Sequence, residues 1–529
     1  MSSLRFSHWQ LPLEQLLVWI VFLAHAGWLV PDVNEPNYLA KAKYYWDPQW
    51  CGGDFFLQSG DAHAVFFWFF GWLTQVWSLP AVALLGRIVT CGCLAVAWQR
   101  LAMQVAPRRW LAVISAALFV CFNSRLHMAG EWAVGGVESK GFAYALVFAG
   151  LAALVRARWN LAWILLGAAT AIHVLVGGWA LIAAGFAWCW LRDDPQRPRL
   201  IDMLKAMALA GLLALVGIWP AVQLSTGVDP QIVAEARWIQ VFHRLPHHLN
   251  PQHFLLEKGW LNVPFGLRFL ALSALWLLLV CRLPDPPNRR LAAVVLGGLA
   301  IAGVGLAISL LGQHDPHTTA PWLRFYWFRL ADVILPAGAA LAVTGWITTW
   351  HDSRRRLSGL MWTAGLLLAA WHVGDRVTRH STASIPLADR RTAQTDRQLA
   401  DWRAVCDHIR RVTPPDAIFI VPRRAHTFKW YAHRGEVGTW KEMPQDAASI
   451  PPWWSRLEDL HLSRYGWRKS LTDAPPQRLL ELASNYGADY LVTDATPLLP
   501  FTPIIRNDSF AVYRLFPPSP PDADGRTTF

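Results

Sequence analysis

Residues 159–199 read WNLAWILLGAATAIHVLVGGWALIAAGFAWCWLRDDPQRPR, and the organisation of the chain follows from that stretch. From Trp159 to Leu191 there is no Asp, Glu, Lys or Arg. The run is interrupted near His173 to Gly178, so it reads as two short helices that turn back on each other. It closes on Arg192, Arg197 and Arg199, with Lys205 beyond. Apolar helix, turn, apolar helix and basic cluster is the pattern of a polytopic membrane chain, whose short Lys/Arg-rich loops stay on the cytoplasmic side.

The same alternation extends in both directions. A span needs roughly 20 apolar residues. With a cytoplasmic N-terminus, spans are expected near 13–30, 81–99, 110–126, 141–155 and 203–223, and the last near 357–373. Under this assignment the clusters Arg100/Arg108/Arg109, Arg156/Arg158, Arg282/Arg289/Arg290 and Arg354/Arg355/Arg356 all fall on the inner side. Ala64 to Leu79 is apolar and aromatic, but counting it as a span would invert every later loop. It reads as a re-entrant or interfacial helix on the outer side. Tyr38 to Trp46 reads similarly, with Leu39, Ala42, Tyr45 and Trp46 on one face and Lys41 and Lys43 opposite.

Composition agrees. Of the 529 residues, 54% are hydrophobic, 32 are Trp and only 16% are charged, against roughly 25% charged in soluble domains. The net charge of +12 sits in the short loops, which argues for membrane topology and against nucleic acid as a partner. The seven Cys form no paired CxxC, so neither a zinc site nor a disulfide framework is indicated. A Cys51–Cys406 bridge has no support in the spacing.

After about residue 376 the apolar runs shorten. Ala417 to Val421, Tyr490 to Thr493 and Phe510 to Leu515 read as strands, and Gln477 to Tyr486 as a helix closed by Gly487. The expected fold is therefore an all-α polytopic membrane domain of about eleven transmembrane helices over 1–375. A small extracytoplasmic α/β domain over 376–516 and a disordered tail over 517–529 follow. A short N-terminus without a cleavable signal fits the bacterial cytoplasmic (inner) membrane, with the C-terminal domain periplasmic.

The charged residues placed outside are the candidates for chemistry. Asp32 and Glu35 follow span one in PDVNEPNY, beside Tyr38. A carboxylate at the membrane surface can take a proton from an acceptor hydroxyl, or simply cap the next helix. Glu131, Glu138 and Lys140 lie in HMAGEWAVGGVESKGFAY, whose glycines either let a substrate approach the backbone or form a tight loop. VFHRLPHHLNPQHF supplies Arg244, His247 and His248, which suit a phosphate, a sugar or a metal. PWLRFYWFRLAD puts Arg324, Arg329 and Asp332 at the outer end of span ten. Charges there cost several kcal/mol unless paired or facing a cavity. Arg329 and Asp332 are spaced for an ion pair along one helix; otherwise the arginines suit the phosphate of a lipid carrier.

VNEPNYLAKAKYYWD, DAHAVFFWFFGWLTQVWSLPAVALLGRIVT and LLGAATAIHVLVGGW resemble the first outer loop, aromatic helix and central short helices of the C-type glycosyltransferase (GT-C) superfamily, which includes aminoarabinose transferases and protein O-mannosyltransferases. The resemblance covers roughly the first 350 residues in order and topology. It implies transfer of a sugar from a polyprenyl-phosphate donor to an acceptor at the outer face, the acceptor itself not being readable. It also implies an acid just after span one as base, here Glu35, which adjoins the helix start, or Asp32. Asn34 stands where many members have Asp. Acids of the first two outer loops often surround a divalent metal in that superfamily, for which Asp54, Asp61 and His63 are the candidates. Two readings from other classes stay open. One is a transporter or flippase, although the inverted repeats common there are not visible. The other is a non-catalytic scaffold or sensor.

Overall fold

The computed structural model describes residues 10–312, 314–349, 355–382 and 396–516. The expected tail over 517–529 and the Arg354 position lie outside these.

The chain forms a multi-pass helical membrane protein with a C-terminal α/β region. Among the described residues, four helices are long and apolar enough to cross a membrane: Leu79–Val105, Leu200–Gln223, Pro286–Leu311 and Ala331–Thr349. Six shorter apolar helices accompany them: Leu11–Ala26, Leu111–Arg125, Ser139–Val155, Trp159–Ile172, Val174–Trp190 and Phe265–Val280. A helix over Arg355–Thr382 covers the position of the expected last span. The opening stretch folds as read: the first helix of the pair stops at His173, whose backbone leaves the helical region. Gly177 then packs where a Cβ would lie 2.1 Å from the Thr170 nitrogen, so only glycine closes this turn. Gly167 and Gly217 likewise let Trp159–Ile172 meet the backbone of Leu200–Gln223, the close approach that small residues permit between membrane helices.

The chain divides into two compact units. The first comprises residues up to Glu35, Asp61–Phe70 and Pro80 onward through the last membrane helix. Its core is aromatic: Trp98 stacks on Phe119 at 4.7 Å and meets Phe148 edge-on at 5.4 Å. One end of this unit is fixed by Arg290, which grips Asp194 at 2.6 Å and reaches the Val155 carbonyl at 2.9 Å. Asn288 bonds the Val105 carbonyl there. The chain segments at Val105, Val155, Asp194 and Arg290, each beside a basic cluster, thus meet at one end of this unit.

The second unit joins Pro36–Gly60 and Gly71–Leu79 to the chain from 396 to 516. Its strands are β1 (Ile418–Ile420), β2 (Gly435–Glu436), β3 (Leu462–Ser463), β4 (Gly466–Trp467), β5 (Tyr490–Asp494), β6 (Pro503–Arg506) and β7 (Phe510–Arg514). They order as β2-β1-β5-β7-β6, parallel through β5 and antiparallel after it, with β3–β4 a separate hairpin. Helix Pro476–Tyr486 ends at Gly487 in a left-handed conformation (φ 64°), as glycine at that position allows. Cys51 and Cys406 are buried as free thiols.

Two local readings are corrected. Residues 64–76, read as one re-entrant or interfacial helix, are instead broken into pieces no longer than five residues, with Trp68, Trp72 and Trp77 exposed. In helix Glu35–Trp46, Leu39 and Ala42 are buried but Tyr45 and Trp46 are exposed, and Lys41 is buried. The Lys41 ammonium is satisfied by Ser59, 2.5 Å from its carbonyl and 3.0 Å from its hydroxyl, so it has no need of a solvated face.

Candidate active site

Within the first unit, the loop after helix Gln10–Ala26 and the loop between Leu111–Arg125 and Ser139–Val155 meet through their polar groups. Glu35 opens its helix and is fully buried. Arg87, inside the long Leu79–Val105 helix, grips it with Nε and Nη2 at 2.7 Å each. The Asp32 and Val137 amides donate to the same carboxylate at 2.6 and 2.9 Å. Arg87 also reaches the Gly27 and Leu29 carbonyls. Four donors saturate Glu35 and no face of it reaches solvent.

Asp32 differs. It is half-buried, and each oxygen accepts one backbone bond, from Val33 at 2.7 Å and Gly136 at 2.8 Å. Each carboxylate oxygen has about two acceptor sites, so one remains on each. Gly136 is required here: a Cβ would lie 2.6 Å from the Asp32 Cβ and 3.0 Å from Glu35 Oε1.

Asn34 donates its amide to Glu138 Oε1 at 2.9 Å. Lys140, in the first turn of its helix, sits 3.4 Å from Glu138, 3.7 Å from Glu131 and 3.8 Å from the Trp132 ring centroid. Burial pushes the Glu138 carboxyl above the usual range, opposed by Lys140 and Asn34. Glu131 in turn meets Arg329 at 3.4 Å, whose guanidinium contacts His173 at 3.1 Å and lies 4.0 Å from the Tyr326 centroid. The single Tyr144 hydroxyl proton is shared between Glu131 at 3.4 Å and the Arg329 carbonyl at 3.3 Å. Asn34, Glu138, Lys140, Glu131 and Arg329 thus form one continuous polar band, which Asp32 adjoins through the Gly136 amide.

The other sequence candidates fall in several places. Asp332 does not pair with Arg329. It is fully buried in the first turn of its helix, and its carboxylate accepts the Met128, Ala129 and Glu131 amides at 2.9, 2.8 and 3.2 Å. It therefore holds the second loop in shape. His248 meets the Ala129 carbonyl and its ring lies tilted against that of His247 at 4.1 Å, beside the same loop. Arg244 is buried at the end of its helix. Arg324 lies over Phe325 at 5.4 Å. Tyr38 belongs to the second unit.

The three metal candidates have separate partners. Asp54 binds Lys429 at 2.9 Å and caps a short helix. Asp61 accepts the His63 amide, and His63 meets Ser139 at 3.1 Å. Among the described residues no group of three or more His, Cys, Asp or Glu is placed to hold a metal.

The chain resembles solved membrane glycosyltransferases along almost its whole length. It is similar to the Archaeoglobus fulgidus oligosaccharyltransferase, solved with Zn and sulfate, at 12% identity and a TM-score of 0.49, over 92% of this chain and 68% of that one. It is similar to the mycobacterial arabinofuranosyltransferase AftD at 13% and 0.49, over 96% and 40%. For Cupriavidus metallidurans ArnT bound to undecaprenyl phosphate the values are 13% and 0.36, over 96% and 97%. No curated protein matches by sequence. A family model described as a domain of unknown function (DUF6798) matches residues 400–460, from helix Asp396–Val412 through helix Ile450–His461.

Arg87, Tyr144 and His173 carry much of this geometry. Arg87 had a signal in the sequence, as a charge inside an apolar helix. Tyr144 had none.

Proposed function

We propose that this chain is a membrane glycosyltransferase that moves a sugar from a polyprenyl-phosphate carrier to an acceptor at the outer face of a bacterial cytoplasmic membrane. The observation that carries the reading is the polar band that Asp32 adjoins and Arg329 ends, a carboxylate with spare acceptor sites beside it and a guanidinium within it.

Such a transfer needs a base for the acceptor hydroxyl and positive charge for the departing phosphate. Asp32 is our base, in place of Glu35, whose acceptor sites are filled. The acceptor oxygen attacks the anomeric carbon as the bond to the carrier phosphate breaks, and its proton passes to Asp32. Arg329 and Lys140 receive the phosphate, the guanidinium offering a fork matched to its oxygens. His173 and Tyr326 hold Arg329 in orientation. The C-terminal α/β domain would lie on the same outer side.

The test is transfer in proteoliposomes supplied with polyprenyl-phosphate sugars on the side of the Asp32 loop. Asp32→Asn should abolish product while protein yield stays normal. Full turnover by that variant would remove Asp32 as the base.

A further inference from the structure

We infer that Lys140 is the resident cation of this site, its ammonium standing between Glu131 and Glu138 of the second loop where a divalent metal would otherwise sit. The inference concerns the site proposed above, but its geometry and its test do not depend on which reaction occurs there.

The donor set argues it. A hard divalent cation needs several oxygen lone pairs converging at 2.0–2.6 Å. Here the carboxylates face hydrogen-bond donors. Glu35 is enclosed by Arg87 and two amides. Asp32 faces the Val33 and Gly136 amides and keeps one acceptor site on each oxygen, too few on their own for such an ion. Glu138 faces the Asn34 side-chain amide and the Lys140 ammonium. Glu131 faces Lys140, Arg329 and Tyr144. Asn34 is the telling residue: its amide presents N–H to Glu138 where a metal ligand would present a lone pair.

The placement of Lys140 is itself informative. A positive charge in the first turn of a helix opposes the helix dipole, and burying an ammonium is costly unless it is paired. Two carboxylates and the face of Trp132, a good cation partner, offset both costs. The ammonium supplies a single positive charge held by Glu131, Glu138 and the Trp132 face, available to a phosphate without metal uptake.

The test uses the full chain in detergent, stripped with EDTA and titrated with Mn²⁺ while free Mn²⁺ is followed by electron paramagnetic resonance. The native chain should show no saturable binding up to about 1 mM, the weak end of carboxylate sites. Lys140→Ala, folded by size exclusion, should gain one Mn²⁺ per chain, and adding Glu138→Gln should remove it. Native binding that Glu138→Gln abolishes overturns the inference, as does a folded Lys140→Ala that binds none. If Lys140→Ala does not fold, Lys140→Gln replaces it; if neither folds, the native chain against Glu138→Gln decides. Loss of the sugar-transfer reading would leave each of these results unchanged.

Discussion

Glu35→Gln and Asp32→Asn make the same chemical change on the same loop, and they should fail in opposite ways. Glu35 lies among four donors, two from Arg87 and two from the Asp32 and Val137 amides. A glutamine amide turns one acceptor into a donor facing them, and leaves the buried Arg87 without its counter-charge. Removing one partner of a buried ion pair costs about 3–5 kcal/mol. Asp32→Asn disturbs one of two backbone bonds on a half-buried side chain, about 1 kcal/mol. It also removes the proposed base, for which a loss of about 10²- to 10⁴-fold in turnover is expected. Thermal unfolding in one detergent, followed by size exclusion, measures the first quantity, and transfer by the surviving folded protein measures the second. Glu35→Gln should unfold early, and Asp32→Asn should be stable and inactive. A stable, inactive Glu35→Gln beside an active Asp32→Asn would refute the reasoning and return the base to Glu35.

Three further outcomes follow from the same geometry. Gly136→Ala forces a Cβ to within 2.6 Å of Asp32, and overpacking of this kind should cost about 1–3 kcal/mol and lower turnover, read in the same two assays. Asp332→Ala strips three loop amides of their acceptor. It should cost about 3 kcal/mol or more, and protease susceptibility between 126 and 138 should rise. In the second unit, Lys429 is buried with Asp54, Glu436 and Glu442. Burial alone would lower its pKa, but the three carboxylates raise it well above the usual range. Burial, then Glu436, pushes Glu442 well up, with Lys429 opposing. Both folded pKa values are raised, so the folded state holds more protons, and stability present at low pH falls as pH rises. Glu442→Gln should flatten that loss with rising pH in pH-dependent unfolding; an unchanged slope would count against it.

How much of this was legible beforehand depended on the kind of signal. Helices and their basic ends were readable because burial in lipid demands long apolar runs and topology sorts Arg and Lys. The Gly487 cap and the central strands of the α/β domain were readable from local chemistry. The short β6 and the β3–β4 hairpin were not, since each is too brief to show a period. At the site, the sequence gathered Asp32, Glu131, Glu138, Lys140 and Arg329 as candidates, because charges beside apolar helices are costly. It favoured Glu35, which adjoins the helix start, and weighing it against Asp32 required knowing that Arg87 lies across from one and not the other. Asp332 looked like a partner for Arg329 by spacing, but in a first helical turn its carboxylate met the amides of a distant loop. The Lys41 burial was invisible for the same reason, since its acceptors come from Ser59.

The most direct measurement is native mass spectrometry of the detergent-released chain with undecaprenyl phosphate. The account predicts one lipid retained per chain, lost with Arg329→Gln and kept with Asp32→Asn. No adduct on the native chain, or an adduct indifferent to Arg329, would contradict it.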